Sequence, residues 1–534
     1  MPLRLTIDGR EVEVQTGQTV LDAARRLDID IPTLCYLERC GPLTSCLVCL
    51  VKVVDGSASR LAPACSLPAQ PGMTIESETP EVHNARRTAL ELIFSDHVGD
   101  CLAPCHRICP LELNVPVMLR HVEAGELDQA AALVRAALPL PAVLGRLCHH
   151  PCENGCRRGA HDQPVAIRDV ERFAADHDLA AKTPHPPHAR PPASHTAAVV
   201  GAGPAGLATA SFLQREGVAV TVMDRQPEPR GSLRRAIEGG TLPPEVLRGE
   251  IQQMQADGIA FRPNHELGRD VALADLLAAF DAVVLALGDS GKTQAAALGL
   301  STGPHGITVD PITSATAIPR LFATGATVKP TPQLLRALTE ARATALNVAR
   351  HLAGGSPTPR RRPFSSIMGR LDPVELKAFL VGPNPAPRTL TPSGFLHGFK
   401  PAEAAAESAR CLHCDCRATG HCRLEHYAQL YRVDAGRFRS QRRPFAQDRH
   451  HAHVLFEQGK CILCGICVKI AEAAREPLGL TFVGRGFDVQ LAAPLDRTLA
   501  EGLEKVAREC VEACPTGALA FRHQPPAAGD DRGG

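Results

Sequence analysis

Twenty cysteines, gathered into five groups toward the two ends of the chain, constrain this sequence more than any other feature. They fall at 35, 40, 46, 49 and 65; at 101, 105 and 109; at 148, 152 and 156; at 411, 414, 416 and 422; and at 461, 464, 467, 510 and 514. Residues 157–410 contain none. The opening "MPLRLTIDGREVEV" alternates apolar and polar residues like a strand rather than a signal peptide. No uninterrupted apolar run of about 18 residues occurs, so no membrane span is expected. These features point to the cytoplasm, where grouped thiols hold metal rather than form disulfides. Formal net charge is +1, from 58 Lys and Arg against 57 Asp and Glu, which gives no electrostatic case for nucleic acid or an anionic membrane. A chain of 534 residues has room for three to five domains.

"LTIDGREVEVQTGQTVLDAARRLDIDIP" predicts a strand, a tight turn at Asp8-Gly9, a second strand and an amphipathic helix from about Thr19. The cysteines that follow are Cys35, Cys46, Cys49 and Cys65; the two-residue gap between Cys46 and Cys49 lets one loop wrap a single iron. Through "IPTLCY", "SCLVCLV", Ala64-Cys65 and "PGM", residues 1–80 resemble the β-grasp [2Fe–2S] domain of the complex I G subunit and of iron-only hydrogenases. That resemblance makes these four cysteines the ligands and leaves Cys40 as a non-ligand.

"DHVGDCLAPCHRICP" places His97, Cys101, Cys105 and Cys109 at four-residue intervals. Taken with the preceding helix, "RRTALELIFSDHVGDC" resembles the complex I G-subunit segment in which a histidine and cysteines bind a [4Fe–4S] cluster. "CLAPCHRICP" and "GRLCHHPCENGCRRGAHDQPVAIRDVERFAAD" resemble the helical double-cluster domain of the glutamate synthase small subunit and dihydropyrimidine dehydrogenase. Carried over by position, the resemblance implies one cluster on His97, Cys101, Cys105 and Cys156. It implies another on Cys109, Cys148, Cys152 and a side-chain oxygen of Glu171. Zinc is the rival reading, although it predicts four ligands and no second group. The stretch between the groups has the period of a helix–turn–helix.

"KTPHPPHARPPASH" (182–195) is a proline-rich linker. After it, "AAVVGAGPAGLATASFLQREGVAVTVMDR" predicts strand, Gly201-x-Gly203-x-x-Gly206, helix and a second strand ending at Asp224, 21 residues beyond Gly203. Such glycines let a pyrophosphate approach a helix N-terminus, and the acid would take ribose hydroxyls. "RGSLRRAIEGGTLPPEVLRGEI", "FDAVVLALG" and "IPRLFATGATVKPTPQLLRALTEARATALNVARHLAG" resemble the FAD domain of the glutamate synthase small subunit, which adds Gly325 as a cofactor-binding position. Two departures stand out. The family inserts an NADPH domain between the last two of these segments, whereas here only a short stretch separates Gly288 from Phe322. The family's acid after the "TG" pair is Ala326 here.

"GGSPTPRRRPF" (354–364) is a second linker. Cys411, Cys414, Cys416 and Cys422 lie within twelve residues and predict a compact metal site, iron–sulfur or zinc. "GKCILCGICVKIAE" supplies Cys461, Cys464 and Cys467; a two-cluster ferredoxin would add a cysteine where this chain has Ala471. Cys514, before Pro515, is the remote fourth ligand, as in the matching [4Fe–4S] domain of the complex I G subunit. "LTFVGRGFDVQLAAPL" predicts strands between the two halves of that site. Eighteen of the twenty cysteines are thereby placed, with Cys40 and Cys510 left over.

The expected fold class is multidomain α/β and α+β. Its parts are a β-grasp [2Fe–2S] domain (1–80), a helical double-cluster domain (81–181), a linker (182–195) and a Rossmann-like FAD domain without an inserted NAD(P) domain (196–355). A linker with the Cys411–Cys422 site (356–445), a ferredoxin-like [4Fe–4S] domain (446–523) and a disordered tail (524–534) complete it. The expected cofactors are one [2Fe–2S] cluster, three or four [4Fe–4S] clusters and FAD. The expected function is an electron-transfer subunit. Its redox partner subunits would include an NADH-oxidising flavoprotein or a molybdopterin dehydrogenase of the formate dehydrogenase kind. The rival readings are a self-contained NAD(P)H-dependent oxidoreductase and a non-enzymatic, cluster-bearing subunit with an empty flavin fold.

Overall fold

The computed structural model describes residues 2–181, 195–355, 363–390, 397–418, 420–440 and 442–522. The tail 524–534, all of the 182–195 linker except His195, and most of the linker after Gly354 lie outside the described residues. The chain forms two compact units with interleaved segments. One comprises 1–103, 363–381 and 414–534; the other comprises 104–362 and 382–413. The sequence laid its domains end to end, but the chain crosses between the units several times.

In the first unit, strands Pro2–Ile7 and Arg10–Gln15 form an antiparallel hairpin. Asp8 and Gly9 both have positive φ (47° and 76°), as a two-residue hairpin turn requires. The five-stranded sheet runs in the order Arg10–Gln15, Pro2–Ile7, Thr74–Glu76, Leu50–Asp55, Ala58–Pro63. The helix Val20–Arg26 starts at a capping box, in which Thr19 and Asp22 satisfy each other's backbone amides. The C-terminal part of this unit pairs Val454–Glu457 with Leu519–Phe521 and adds helices Ile466–Ala473 and Ala507–Ala513. Strands Thr481–Val483 and Gln490–Ala492 form a hairpin, as their alternation predicts.

The second unit joins a helical segment to a parallel sheet through one continuous core. The stretch between its cysteine groups folds into three helices rather than two: Val115–Glu123, Leu127–Ala137 and Pro141–Leu147. Pro141 opens the third, because its missing N–H costs nothing at a first helical position. The sheet order is Ala260–Arg262, Ala219–Met223, Thr196–Val200, Ala282–Leu285, Leu321–Ala323, all parallel. No inserted domain interrupts residues 286–320; they return directly from one strand to its neighbour. Among the described residues no single helix is long and apolar enough to cross a membrane.

Glu250, 2% exposed, accepts a hydrogen bond from the Ala142 amide. Burial pushes its carboxyl up to about 8, against the Ala142 and Val143 amides and the charges of Arg135 and Arg146, which favour ionisation. The folded carboxyl therefore binds its proton more tightly than the unfolded one. Stability contributed by this group falls as pH rises from the ordinary 4.5 toward 8. Glu250→Gln is expected to flatten that slope. Urea unfolding at pH 5 and pH 8 checks it, and an unchanged slope in the variant refutes it.

Candidate iron–sulfur centres and a dinucleotide fold

The thiols of Cys35, Cys46, Cys49 and Cys65 are all buried. Cys35 is hydrogen-bonded to Cys46, and Cys49 to Cys65. The hydrogen bond from Cys46 holds Cys35 down to about 5, while Cys46 is pushed up. Likewise the bond from Cys49 lowers Cys65 and Cys49 is raised. Two thiol pairs suit the two irons of a [2Fe–2S] cluster.

Cys461, Cys464, Cys467 and Cys514 line one cavity of about 380 Å³, walled by Phe456, Leu491 and other apolar side chains. The sharp loop is set by Leu463 and Gly465, both at positive φ, before the helix Ile466–Ala473 begins. Burial pushes Cys461 and Cys464 up to about 12, so iron must displace a proton from each thiol as it binds. Ala471 is buried in the same core, and Cys510 is fully buried with its thiol donating to the Cys467 carbonyl at 3.8 Å. Neither Cys40 nor Cys510 lines the cavity.

A second cavity of the same unit, about 300 Å³, is lined by His97, Cys101, Cys416 and Cys422, with Phe94, Asp100, Leu424, Glu425 and Gly517. This departs from the sequence-derived grouping. Cys105 and Cys156 belong to the other unit and do not line it. The run 411–422 is not one compact site either: Cys411 packs into the core of the second unit, while Cys416 and Cys422 turn to His97. The physical reason is the chain crossing near residue 414. Nδ1 of His97 is buried without a hydrogen-bond partner. Burial, and then the Lys460 charge, push its imidazole down to about 3, which leaves a neutral ring able to act as a ligand.

In the second unit Cys109, Cys148, Cys152 and Glu171 come together. Burial first, then the Glu171 carboxylate, raise Cys148 (to about 12) and Cys152; Glu171 also raises Cys109. Cys148 ends the helix Pro141–Leu147, which crosses the helix carrying Glu171 at Gly145. A Cβ there would lie 2.7 Å from the Arg172 Cα. Oε1 of Glu171 is buried without a hydrogen-bond partner, and burial pushes the carboxyl up to about 8. The Arg168 charge favours its ionisation only in part, and a buried carboxylate among three thiols is costly unless a cation meets it directly. Cys105 and Cys156 pack against the same core as Cys411.

Among the described residues, no three His, Cys, Asp or Glu side chains converge tightly enough for a single metal ion.

In the glycine-rich loop, Gly201 has φ +108°, and a Cβ there would lie 2.3 Å from the Ala286 carbonyl oxygen. Gly206 meets the Gly201 carbonyl oxygen even more closely. Gly231 presses on Gly203, where an added Cβ would lie 2.4 Å from the Gly203 Cα. Asp224 accepts from the amides of Ala202 (2.6 Å) and Gln226 (2.8 Å), so its first role is to brace this loop. Gly325, at φ +63°, brings the segment before Ala326 against Ala205 at the start of the helix Pro204–Arg215. The loop geometry suits a dinucleotide.

Comparisons with known proteins agree with these modules. Residues 1–80 match the family model described as a 2Fe-2S iron-sulfur cluster binding domain. Residues 95–183 match dihydropyrimidine dehydrogenase domain II, 4Fe-4S cluster. Residues 199–249 match an NAD(P)-binding Rossmann-like domain. The chain carries two kinds of iron–sulfur domain and a Rossmann-like fold. It is 33% identical over 225 residues to the beta subunit of NADP(+)-dependent formate dehydrogenase of Moorella thermoacetica, covering 38% of this chain and 32% of that protein. It is 34% identical over 188 residues to the beta subunit of NADPH-Fe(3+) oxidoreductase of Geobacter sulfurreducens, covering 35% and 28%. It is 39% identical over 192 residues to the glutamate synthase [NADPH] small chain of Mycobacterium tuberculosis, covering 35% and 39%. The chain thus spans less than half the length of these relatives.

Proposed function

We propose that the chain is a flavin–iron–sulfur electron-transfer subunit of an oxidoreductase complex. Its electrons pass between a partner that handles NAD(P)H, or a molybdopterin dehydrogenase of the formate dehydrogenase kind, and another acceptor. A flavin exchanges two electrons with a hydride donor and releases them singly to clusters, which carry one each. The observation that carries the reading is residues 286–320. They return directly to the neighbouring strand, with no second dinucleotide domain between, while three donor groups for clusters lie in the first unit and one in the second. The relatives named above, subunits of larger enzymes, support the assignment of partners.

Here the protein's residues orient and exclude. Asp224 and the glycines hold the loop where a pyrophosphate meets the start of the helix Pro204–Arg215. Apolar walls such as Phe456, Leu491 and Phe94 keep water from the cysteine cavities. Ala326 offers no carboxylate toward the flavin, so binding rests on the loop and the sheet edge.

Purified, anaerobically reconstituted protein should contain flavin and about 18 irons, one [2Fe–2S] and four [4Fe–4S] clusters. Stopped-flow mixing with NADPH alone should leave the flavin oxidised. Fast bleaching of the flavin by NADPH would favour the self-contained enzyme, and absence of heat-released flavin would favour the empty fold.

A further inference from the structure

The cavity at His97 joins two stretches of chain 315 residues apart, counted from Cys101 to Cys416. Several close approaches hold them together. The Val98 amide donates to the Gly459 carbonyl at 2.6 Å, and a Cβ on Gly459 would lie 2.4 Å from the Val98 Cβ. The Cys416 amide donates to the Cys101 carbonyl at 3.2 Å. A Cβ on Gly517 would lie 2.3 Å from the Cys416 sulfur, so only glycine lets that thiol reach the cavity. Cys422 caps the helix Arg423–Leu430, its sulfur accepting from the Glu425 amide at 3.4 Å. The Cys101 sulfur sits 3.4 Å from the Ser366 hydroxyl. His97 meets Phe94 edge to face at 5.4 Å, which fixes its ring, and its Nδ1 is a buried atom with no partner. Three thiols and one imidazole border one space, whose other walls are Phe94, Leu424, Asp100, Glu425 and Gly517.

We infer that His97, Cys101, Cys416 and Cys422 are the four protein ligands of one [4Fe–4S] cluster, and that Cys105 and Cys156 serve another. This rests on the reading that the cysteine groups hold clusters, and it changes which residues share one. Relocating Cys416 and Cys422 leaves Cys105, Cys156 and Cys411, all in the second unit.

The test is electron paramagnetic resonance of the dithionite-reduced full chain, with electron spin echo detection of ¹⁴N coupling from a ligand imidazole. The unaltered protein should show one [4Fe–4S] signal with that coupling. Cys416→Ala and Cys422→Ala should each erase that signal and remove about four irons per chain, while the [2Fe–2S] signal persists and reports a folded chain. His97→Cys should keep the iron and lose the ¹⁴N modulation. Cys105→Ala and Cys156→Ala should leave the ¹⁴N-coupled signal in place. Loss of that signal in Cys105→Ala or Cys156→Ala, with survival in Cys416→Ala and Cys422→Ala, overturns the inference. A protein that never takes up iron and sulfide overturns the electron-transfer reading as well, and its lack of any cluster absorption tells the two failures apart.

Discussion

Lys460→Met is expected to lower the midpoint potential of a cluster held at His97 by on the order of 90 mV. Lys460 is 3% exposed and ion-paired with Glu457. Its stem lies along the His97–Cys101 loop, so that a Cβ on Gly99 would come within 2.6 Å of the Lys460 Cε. A fixed positive charge favours the reduced, more negative state of a neighbouring cluster. At a separation of roughly 8 Å and an effective dielectric constant near 20, the interaction is about 2 kcal/mol. For a one-electron couple that is on the order of 90 mV. Methionine keeps most of the side chain's volume and removes the charge. Removing it also strands Glu457, 5% exposed, whose other oxygen accepts from the Gln447 amide nitrogen at 2.8 Å. Breaking such a buried pair costs about 3–5 kcal/mol, so the variant should also unfold at lower denaturant. Lys460→Arg keeps the charge and should keep the potential. A redox titration followed by paramagnetic resonance separates the cases. If Lys460→Met titrates with the unaltered protein, the ammonium does not act on the cluster.

Local chemistry made part of this architecture legible in the sequence. Asp8-Gly9 between alternating runs specifies a hairpin, because both positions require positive φ. Gly201, Gly203 and Gly206 mark the strand-to-helix turn, because carbonyls of Ala286 and Gly201 leave no room for a Cβ at the first and last. The gathering of Cys461, Cys464, Cys467 and Cys514 around one cavity follows from tight spacing and a Pro515 that ends the helix. The grouping of Cys101 was not legible. Spacing along the chain ties it to Cys105, four residues on, and nothing local signals that the chain leaves the first unit at Pro104. Gly517 carried a signal that went unread. A glycine three residues after a ligand cysteine is where another sulfur needs room.

Arg135 is a buried cation between the Glu171-bearing helix and the Rossmann-like fold, and Arg135→Met should destabilise the protein by about 3–5 kcal/mol. Arg135 is 5% exposed on the helix Leu127–Ala137. It donates to Asp178 at 3.0 Å and, through two hydrogen bonds of 2.9 and 2.7 Å, to Asp257. Asp178 lies on the helix that carries Glu171, and Asp257 ends the helix Pro244–Ala256, which packs on the helices Pro141–Leu147 and Ile167–Ala180. Methionine would leave Asp178, 2% exposed, and its neighbour Asp257 as two like charges with their shared counter-ion gone. Burial already pushes the Asp257 carboxyl up, and Arg135 is the first charge opposing that shift. Without it the Asp257 carboxyl should bind its proton still more tightly folded than unfolded, so the loss should shrink as pH falls and grow toward neutrality. Urea unfolding at pH 5 and pH 7 reads both the size and the sign. Arg135→Met with Asp178→Asn should recover part of the loss, because one stranded charge is removed. A loss below about 1 kcal/mol at pH 7 would mean that Arg215, the other cation near Asp257, suffices to hold the joint. The consequence for electron transfer is positional. On the function proposed above, the Glu171 group keeps its place relative to the glycine loop through this joint, so Arg135→Met should slow cluster reduction by flavin in a stopped-flow absorbance measurement.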